Sequence, residues 1–311
     1  MVELPEDFGL RRRYLLGISG GRDSVALLHV LREAGAANLV LCHLNHQLRG
    51  LFSSDDAAFV RQLAEAHHLP FEIARANVKR LAEEQQCSIE TAARAARHEF
   101  FAVCAAKHKC NRVLLAHHAD DDAETVLFNL LRGSAGLKGM QYESVVKAGR
   151  RKLTFVRPLL AVRRHEIDEY VREHGIPYRD DASNAEPVAV RNRIRHEALP
   201  LLEEIMDRDV VPAILRATDI SHDDRECLDA LLEVLDLLDP QGRLHLPKLR
   251  KLPETLQQRA LHRYLAEKKI PDLSAALLER AVEIFDSGAA AKVNLPGGKH
   301  LHRRAGRIFV A

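Results

Sequence analysis

The chain has 311 residues, with 46 Lys and Arg facing 44 Asp and Glu for a formal charge of +2. That length exceeds what one ordinary core fills, so two domains with ample apolar surface to bury are expected. Five cysteines at irregular spacings (Cys42, Cys87, Cys104, Cys110, Cys227) argue against a disulfide framework and against any CxxC pair. With neither a basic-then-apolar leader nor a membrane-length apolar run, the expected location is a reducing cytoplasm. The basic residues are bunched, at Arg11–Arg13, Arg150–Lys152, Arg191/Arg193/Arg195, Lys248/Arg250/Lys251 and Lys299–Arg307. Any one such run is ordinarily a solvated face, but several together favour a polyanionic partner.

Residues 14–18 form a short apolar run meeting a glycine turn, and 25–32 follow with helical spacing that stops near Gly35. The alternation then continues. Strands are predicted at 39–44, 71–75, 113–116 and 155–156, and helices at 55–68, 89–109, 120–132 and 162–174. Strands alternating with helices imply a doubly wound parallel α/β sheet, whose ligands sit beyond the carboxyl ends of the strands. Ser19 and His117 both fall there and should face one cleft. From about residue 205 the pattern turns helical, at 210–238, 255–268 and 274–286, with β-like pieces at 292–295 and 307–310 around the turn Pro296-Gly297-Gly298. Two domains are expected, residues 1–204 and a mainly helical 205–311.

Ser19-Gly20-Gly21-Arg22-Asp23-Ser24 stands at the first strand-to-helix turn. Glycines let the backbone approach phosphate oxygens, amides and hydroxyls donate to them, and the helix directs its positive end at the anion. A glycine pair alone could be packing. No lysine follows, so this is not the GxxxxGK[ST] loop of γ-phosphoryl transfer. The second segment, His117-His118-Ala119-Asp120-Asp121-Asp122-Ala123-Glu124-Thr125, follows a strand. On a helix, Asp120, Asp121 and Glu124 share a face. One acid would suffice as a cap, and this stretch has four, so the cluster suits Mg²⁺ or an amine.

The loop resembles the SGGxDS signature of PP-loop ATP pyrophosphatases, which have the adenine-nucleotide alpha-hydrolase-like fold, split ATP between its α and β phosphates and adenylate a carbonyl-type oxygen. Two more segments narrow the resemblance: His43-Leu44-Asn45-His46-Gln47-Leu48-Arg49-Gly50, and Arg191-Asn192-Arg193-Ile194-Arg195-His196 after Asp180–Asn184. In this order the motifs look like those of bacterial tRNA(Ile)-lysidine synthetases over roughly residues 14–202, and the helical remainder resembles that family's first C-terminal, tRNA-contacting domain. The chain departs from the family in having Asp122 where glutamine is usual and His98 where tyrosine is common. Asp122 would then add negative charge near the phosphates. It resembles a short form lacking the last C-terminal domain.

The resemblance implies an ATP-dependent carbon–nitrogen ligase. ATP would adenylate the C2 oxygen of the wobble cytidine in the CAU anticodon of isoleucine tRNA, and free L-lysine would displace AMP to give lysidine, changing codon reading from AUG to AUA. At pH 7 only roughly one lysine amine in 2,500 is neutral, so a base or a shifted pKa is required. As the resemblance implies, Ser19, Gly20, Gly21, Arg22, Asp23, Ser24, His46, Arg49 and His117 would bind nucleotide, with Asp23 helping to hold Mg²⁺. Asp120, Asp121 and Glu124 would handle the lysine amine, and Arg191 with Arg195 would neutralise phosphate charge. Partners would be tRNA and lysine without a membrane, and a homodimer is compatible with the sequence. A PP-loop tRNA thiolase, a small-molecule amidating ligase and a non-catalytic tRNA-binding module are the competing readings; the first lacks paired cysteines, the second has no need of RNRIRH and a helical tail, and the third has none for the acidic cluster.

Overall fold

In the computed structural model, which describes residues 2–47, 52–134, 136–179 and 190–311, the first strand sets the register of everything around the loop. Strand β1 (Tyr14–Gly17) alternates between two cores, as strand geometry demands. Tyr14 and Leu16 enter the cluster containing Val25, Leu28 and Ile167, whereas Leu15 enters the opposite one with Phe101, Cys104 and Phe155. The neighbouring β2 (Leu39–Asn45) repeats this, with Leu39 and Leu41 on one side and Val40 and Cys42 on the other.

Helix α1 (Arg22–Glu33) lies against the first side, as does α6 (Arg164–Glu173); α4 (Ile89–His108) covers the second. With α2 (Phe52–Ala66), β3 (Phe71–Arg75), α3 (Val78–Gln85), β4 (Arg112–Leu114), α5 (Ala119–Leu131), β5 (Glu143–Ala148) and β6 (Arg151–Val156) they build a six-stranded sheet of order β3-β2-β1-β4-β6-β5. Five strands are parallel, as the alternating pattern predicts, and β5 pairs antiparallel with β6. Strand β5 and α3 were not foreseen, and β6 was read only at its end, residues 155–156. The run Arg150–Lys152 reads as a solvated patch, and an exposed edge strand with Glu143, Val145 and Lys147 turned outward lacks the apolar signature of a buried one.

The chain divides into two compact units, Met1–Ser134 with Lys138–Thr218, and Ala135–Leu137 with Asp219–Ala311. The first unit ends through α7 (Val190–Arg193), a π-turn at Ile194–Ala198, α8 (Leu199–Met206) and the start of α9 (Val211–Val234). The second packs α10 (Leu246–Leu249), α11 (Glu254–Glu267) and α12 (Ala275–Val282) with an antiparallel sheet of order β7-β10-β9-β8. Its core gathers Leu249, Leu261, Leu265, Ile284, Leu301 and Ile308. The strands are β7 (Leu244–His245), β8 (Lys292–Asn294), β9 (His300–Arg304) and β10 (Arg307–Val310). The helical prediction holds for this unit, with a fuller sheet than its β-like pieces suggest. Among the described residues no helix is long and apolar enough to cross a membrane.

Candidate functional site

The glycine loop closes on itself through its serines. Gly20 takes φ +93°, a left-handed conformation that suits glycine. The Ser24 hydroxyl is buried, donates to the Gly21 carbonyl (2.8 Å) and accepts from the Ser19 amide (3.2 Å), while Ser19 Oγ lies 3.1 Å from Ser24 Oγ and accepts from the Gly21 amide. Gly21 is the N-cap of α1 and offers no side chain to its first-turn amides, which leaves that turn suited to an anion. Arg22 is paired with Asp23 (3.0 Å) and with Asp168 of α6.

His118 joins this loop to the acidic segment. It caps α5, accepting from the Asp121 amide, while Asp121 Oδ2 accepts from the His118 amide at 3.1 Å in a reciprocal capping box. Its Nε2 lies 3.5 Å from Asp121 and 3.9 Å from Asp23. The two walls expected of one cleft therefore meet across a buried imidazole.

The four acids part company. Glu124 is only 4% exposed and is clamped bidentately by Arg195 (2.5 and 3.0 Å), which also reaches Asp121 Oδ1 at 2.7 Å. Burial pushes the Glu124 carboxyl above the ordinary glutamate range, with Arg195 opposing it. Asp120 instead takes two hydrogen bonds from Arg163 and one from the Arg164 amide (2.8 Å); although burial works to raise it, these bonds hold its carboxyl below the usual range. Asp122 accepts from the Met140 amide at 2.5 Å, so close that a Cβ on Gly139 would collide with it. Its charge thus holds the 139–140 backbone and also acts on Arg157 of the basic group described below.

Asp121 and Glu124 thus hold one guanidinium between them, and Asp23, itself paired with Arg22, also acts electrostatically on Arg195. Three carboxylates with the two guanidiniums of Arg22 and Arg195 leave a formal charge of −1. Opposite in character is a group at the carboxyl ends of β2, β4 and β6: His46, His117 and Arg157, with Arg94, Arg97 and His98 of α4. Burial lowers the pKa of Arg97, and the neighbouring Arg94 and Arg157 lower it further. Burial also lowers His46 and His98, with Arg97 adding to both, and brings His117 down to about 4. His46 Nδ1, His117 Nδ1, His43 Nε2 and Arg157 Nε are buried without a hydrogen-bond partner. Buried polar atoms are ordinarily satisfied, so this cluster fits a polar, anionic ligand.

His43 Nδ1 bonds the Ile18 carbonyl (2.9 Å), fixing the chain just before the loop. Arg191 lies over the Phe128 ring at 5.2 Å and 3.6 Å from Glu90, not with Arg195 in the carboxylate clamp. Arg49 lies outside the described residues, as do residues 180–184. Arg97, Arg157 and Arg163 were missed by sequence reasoning. Arg157, directly after a strand and before Pro158, was the one with a positional signal.

No group of three or more potential metal ligands occurs among the described residues. Asp23, partly exposed and beside the loop, fits Mg²⁺ in the way nucleotide sites use it, with one carboxylate and the remaining positions taken by phosphates and water.

Residues 3–202 match the sequence family described as the PP-loop domain, and residues 228–309 match the TilS substrate binding domain. A tRNA(Ile)-lysidine synthase of Geobacter sulfurreducens is 42% identical over 223 residues, covering 71% of this chain and 46% of that protein. One of Bacillus subtilis is 33% identical over 292 residues, covering 90% of this chain and 61% of that protein. The chain spans about half the length of the curated relatives it matches. Among solved structures, a U34-tRNA thiolase of Methanococcus maripaludis aligns with a TM-score of 0.54 at 17% identity, over 70% of this chain and 74% of that one, a likeness of fold. Because the PP-loop match runs through well over half of the chain and takes in the Ser19–Ser24 turn at the end of β1, this chain belongs to the PP-loop family of ATP-binding domains.

Proposed function

We propose that the chain is a tRNA(Ile)-lysidine synthetase, an ATP-dependent ligase that adenylates the C2 oxygen of the wobble cytidine in a CAU anticodon and joins free L-lysine to C2, releasing diphosphate and then AMP. The observation that carries this is the bipolar cleft around the phosphate loop. An acidic pole (Asp23, Asp121, Glu124) faces a cation, and a basic pole (Arg97, Arg157 and the imidazoles) faces an anion. The similarity to synthases of other bacteria supports the same reading. We assign catalysis to residues 1–204 and tRNA contact to the mainly helical 205–311.

In this reading Ser19, Gly20, Gly21 and Ser24 shape the pyrophosphate seat, and His46 and His117, held neutral at pH 7 by burial, present ring nitrogens to the nucleotide. Arg49 joins them as the resemblance implies. Bound Mg²⁺, held by Asp23, would offset phosphate charge. Glu124 and Asp121 receive the lysine ammonium, whose entry loosens Arg195 from the clamp, and a carboxyl with a raised pKa is suited to accept the proton the amine must lose. Asp120 anchors the start of α5 to Arg163 and so positions the other two acids. Arg191 acts at the rim, on Phe128.

Cys42, Cys104 and Cys110 are packed in the apolar cluster beneath α4, which argues against these three thiols as sulfur carriers. The decisive assay incubates the protein with ATP, radiolabelled lysine and bulk tRNA. Label entering only the isoleucine tRNA with a CAU anticodon is the expected result; ATP cleavage without lysine incorporation overturns the proposal.

A further inference from the structure

The outer face of the C-terminal sheet carries a row of side chains that neither the cleft nor the core uses. Pairing of β8 with β9 sets Lys292 opposite His302, and pairing of β9 with β10 sets His302 opposite Phe309. Directly opposed residues share a face, so three strands contribute to one line. Leu301 and Ile308, one position away, are fully buried on the other face.

The His302 and Phe309 rings are stacked, with 5.6 Å between centroids and 20° between planes, and His300, on the same face, meets His302 edge-on at 6.0 Å. A groove bounded by Lys292, His302, Arg304 and Phe309 overlies them. Lys292 and Arg304 are exposed, and among the described residues no carboxylate pairs with either. Arg303, by contrast, is committed to the carbonyls of Ile284, Ser287 and Ala289.

We propose that this face is a nucleotide-stacking platform, on which an unpaired base of bound tRNA lies against His302 and Phe309 while Lys292 and Arg304 take the adjoining phosphates. The proposal rests on the reading that the chain acts on tRNA. Aromatic rings on a sheet face flanked by unpaired cations match the two needs of single-stranded RNA, a π-surface for the base and positive charge for the backbone. An acidic peptide would use the cations but has no need for the stacked rings.

The test uses the full chain and a tRNA transcript with a CAU anticodon, reading affinity by fluorescence anisotropy and lysine incorporation in parallel. His302→Ala and Phe309→Leu should each weaken binding roughly 5- to 100-fold, the loss of one base–aromatic contact, and His302→Phe should retain it. Phe309→Leu keeps the apolar volume, so its loss of affinity reports the ring itself. Lys292→Ala with Arg304→Ala should flatten the salt dependence of binding. If the His302→Ala/Phe309→Leu double variant binds as wild type, the platform is overturned, including the outcome in which only the two cations matter. A wild-type chain that binds the transcript but adds no lysine sinks the synthetase reading and leaves the platform standing, provided the ring variants still lose affinity. Wild-type chain that does not bind the transcript overturns both.

Discussion

At Glu124, burial and a cation pull one carboxyl in opposite directions, and burial prevails, so its pKa stands above the ordinary range. Replacing it with Gln keeps the shape and one acceptor for Arg195 while removing the base. Lysine incorporation should then fall about 10²–10⁴-fold, the usual contribution of a positioned base, with pyrophosphate release from ATP retained. Wild-type turnover of Glu124→Gln at low lysine would remove Glu124 from the role. The imidazole of His117 allows a second test. Its folded pKa of about 4 lies below the unfolded value near 6.5, so the unfolded chain binds the proton more readily. Above about pH 6.5 the residue is neutral in both states and contributes nothing. As pH falls from there toward 4, unfolding free energy should drop by roughly 3 kcal/mol from this group. Urea titrations at pH 7 and pH 4.5 should reveal the drop, and His117→Gln should make it smaller; an unchanged drop in the variant would contradict the assignment. The spacing of Asp120, Asp121 and Glu124 was legible in the sequence because helical periodicity is local. That Asp120 answers to Arg163, 43 residues away, and Asp122 to the Met140 amide, was not.

Legibility follows the same division among elements. Strands β1 to β4 and helices α1, α4 and α5 are read within a few residues because their apolar periodicity is set by burial in their own layer. Strands β7 and β9 are not. His300–Arg304 has one apolar side chain, Leu301, and β7 is two residues long, so both depend on partners supplied by β10. One carboxylate binds this corner together. Asp239 accepts from the amides of Gln241 and Arg243, from Arg243 Nε at 2.8 Å and from Arg307 Nε of β10 at 3.0 Å. Burial works to raise its carboxyl, but the hydrogen bonds from Arg243 and the two amides hold it far below the usual range. A depressed carboxylate contributes stability that is fully present above about pH 3.9 and fades as pH falls below it. Asp239→Asn should therefore lower the thermal midpoint of the chain at pH 7, with the gap to wild type narrowing in acid below about pH 4. Equal midpoints at pH 7 would show the cluster to be solvated and idle. The π-turn at Ile194–Ala198 was equally hidden, although the residue it presents, Arg195, was recognisable from RNRIRH. Such turns recur at functional sites because the extra residue re-aims a side chain, and here the side chain meets Glu124.

Over the whole molecule, a net charge of +2 gives a weak long-range field, so attraction to an RNA must come from local patches. Among those patches are Arg94, Arg97 and Arg157 in the first unit, and Lys292 with Arg304 in the second. Each neutralised phosphate releases condensed counterions, and affinity falls with salt as roughly the 0.9 power per phosphate on a duplex, or the 0.7 power on a single strand. Engagement of about four phosphates would cost about 10²-fold in affinity between 50 and 200 mM salt. The first unit alone offers a partly buried cationic seat for a few phosphates, whereas an RNA that also reaches the second unit must show a steeper slope. Titrating tRNA binding over that range with the wild-type chain, and again with the Lys292→Ala/Arg304→Ala variant, separates the two contributions. The variant should keep binding but with a shallower slope, by about one to two phosphates. A wild-type affinity that does not change between 50 and 200 mM would mean that the clustered cations do not meet phosphate, and recognition would then have to rest on base contacts and shape.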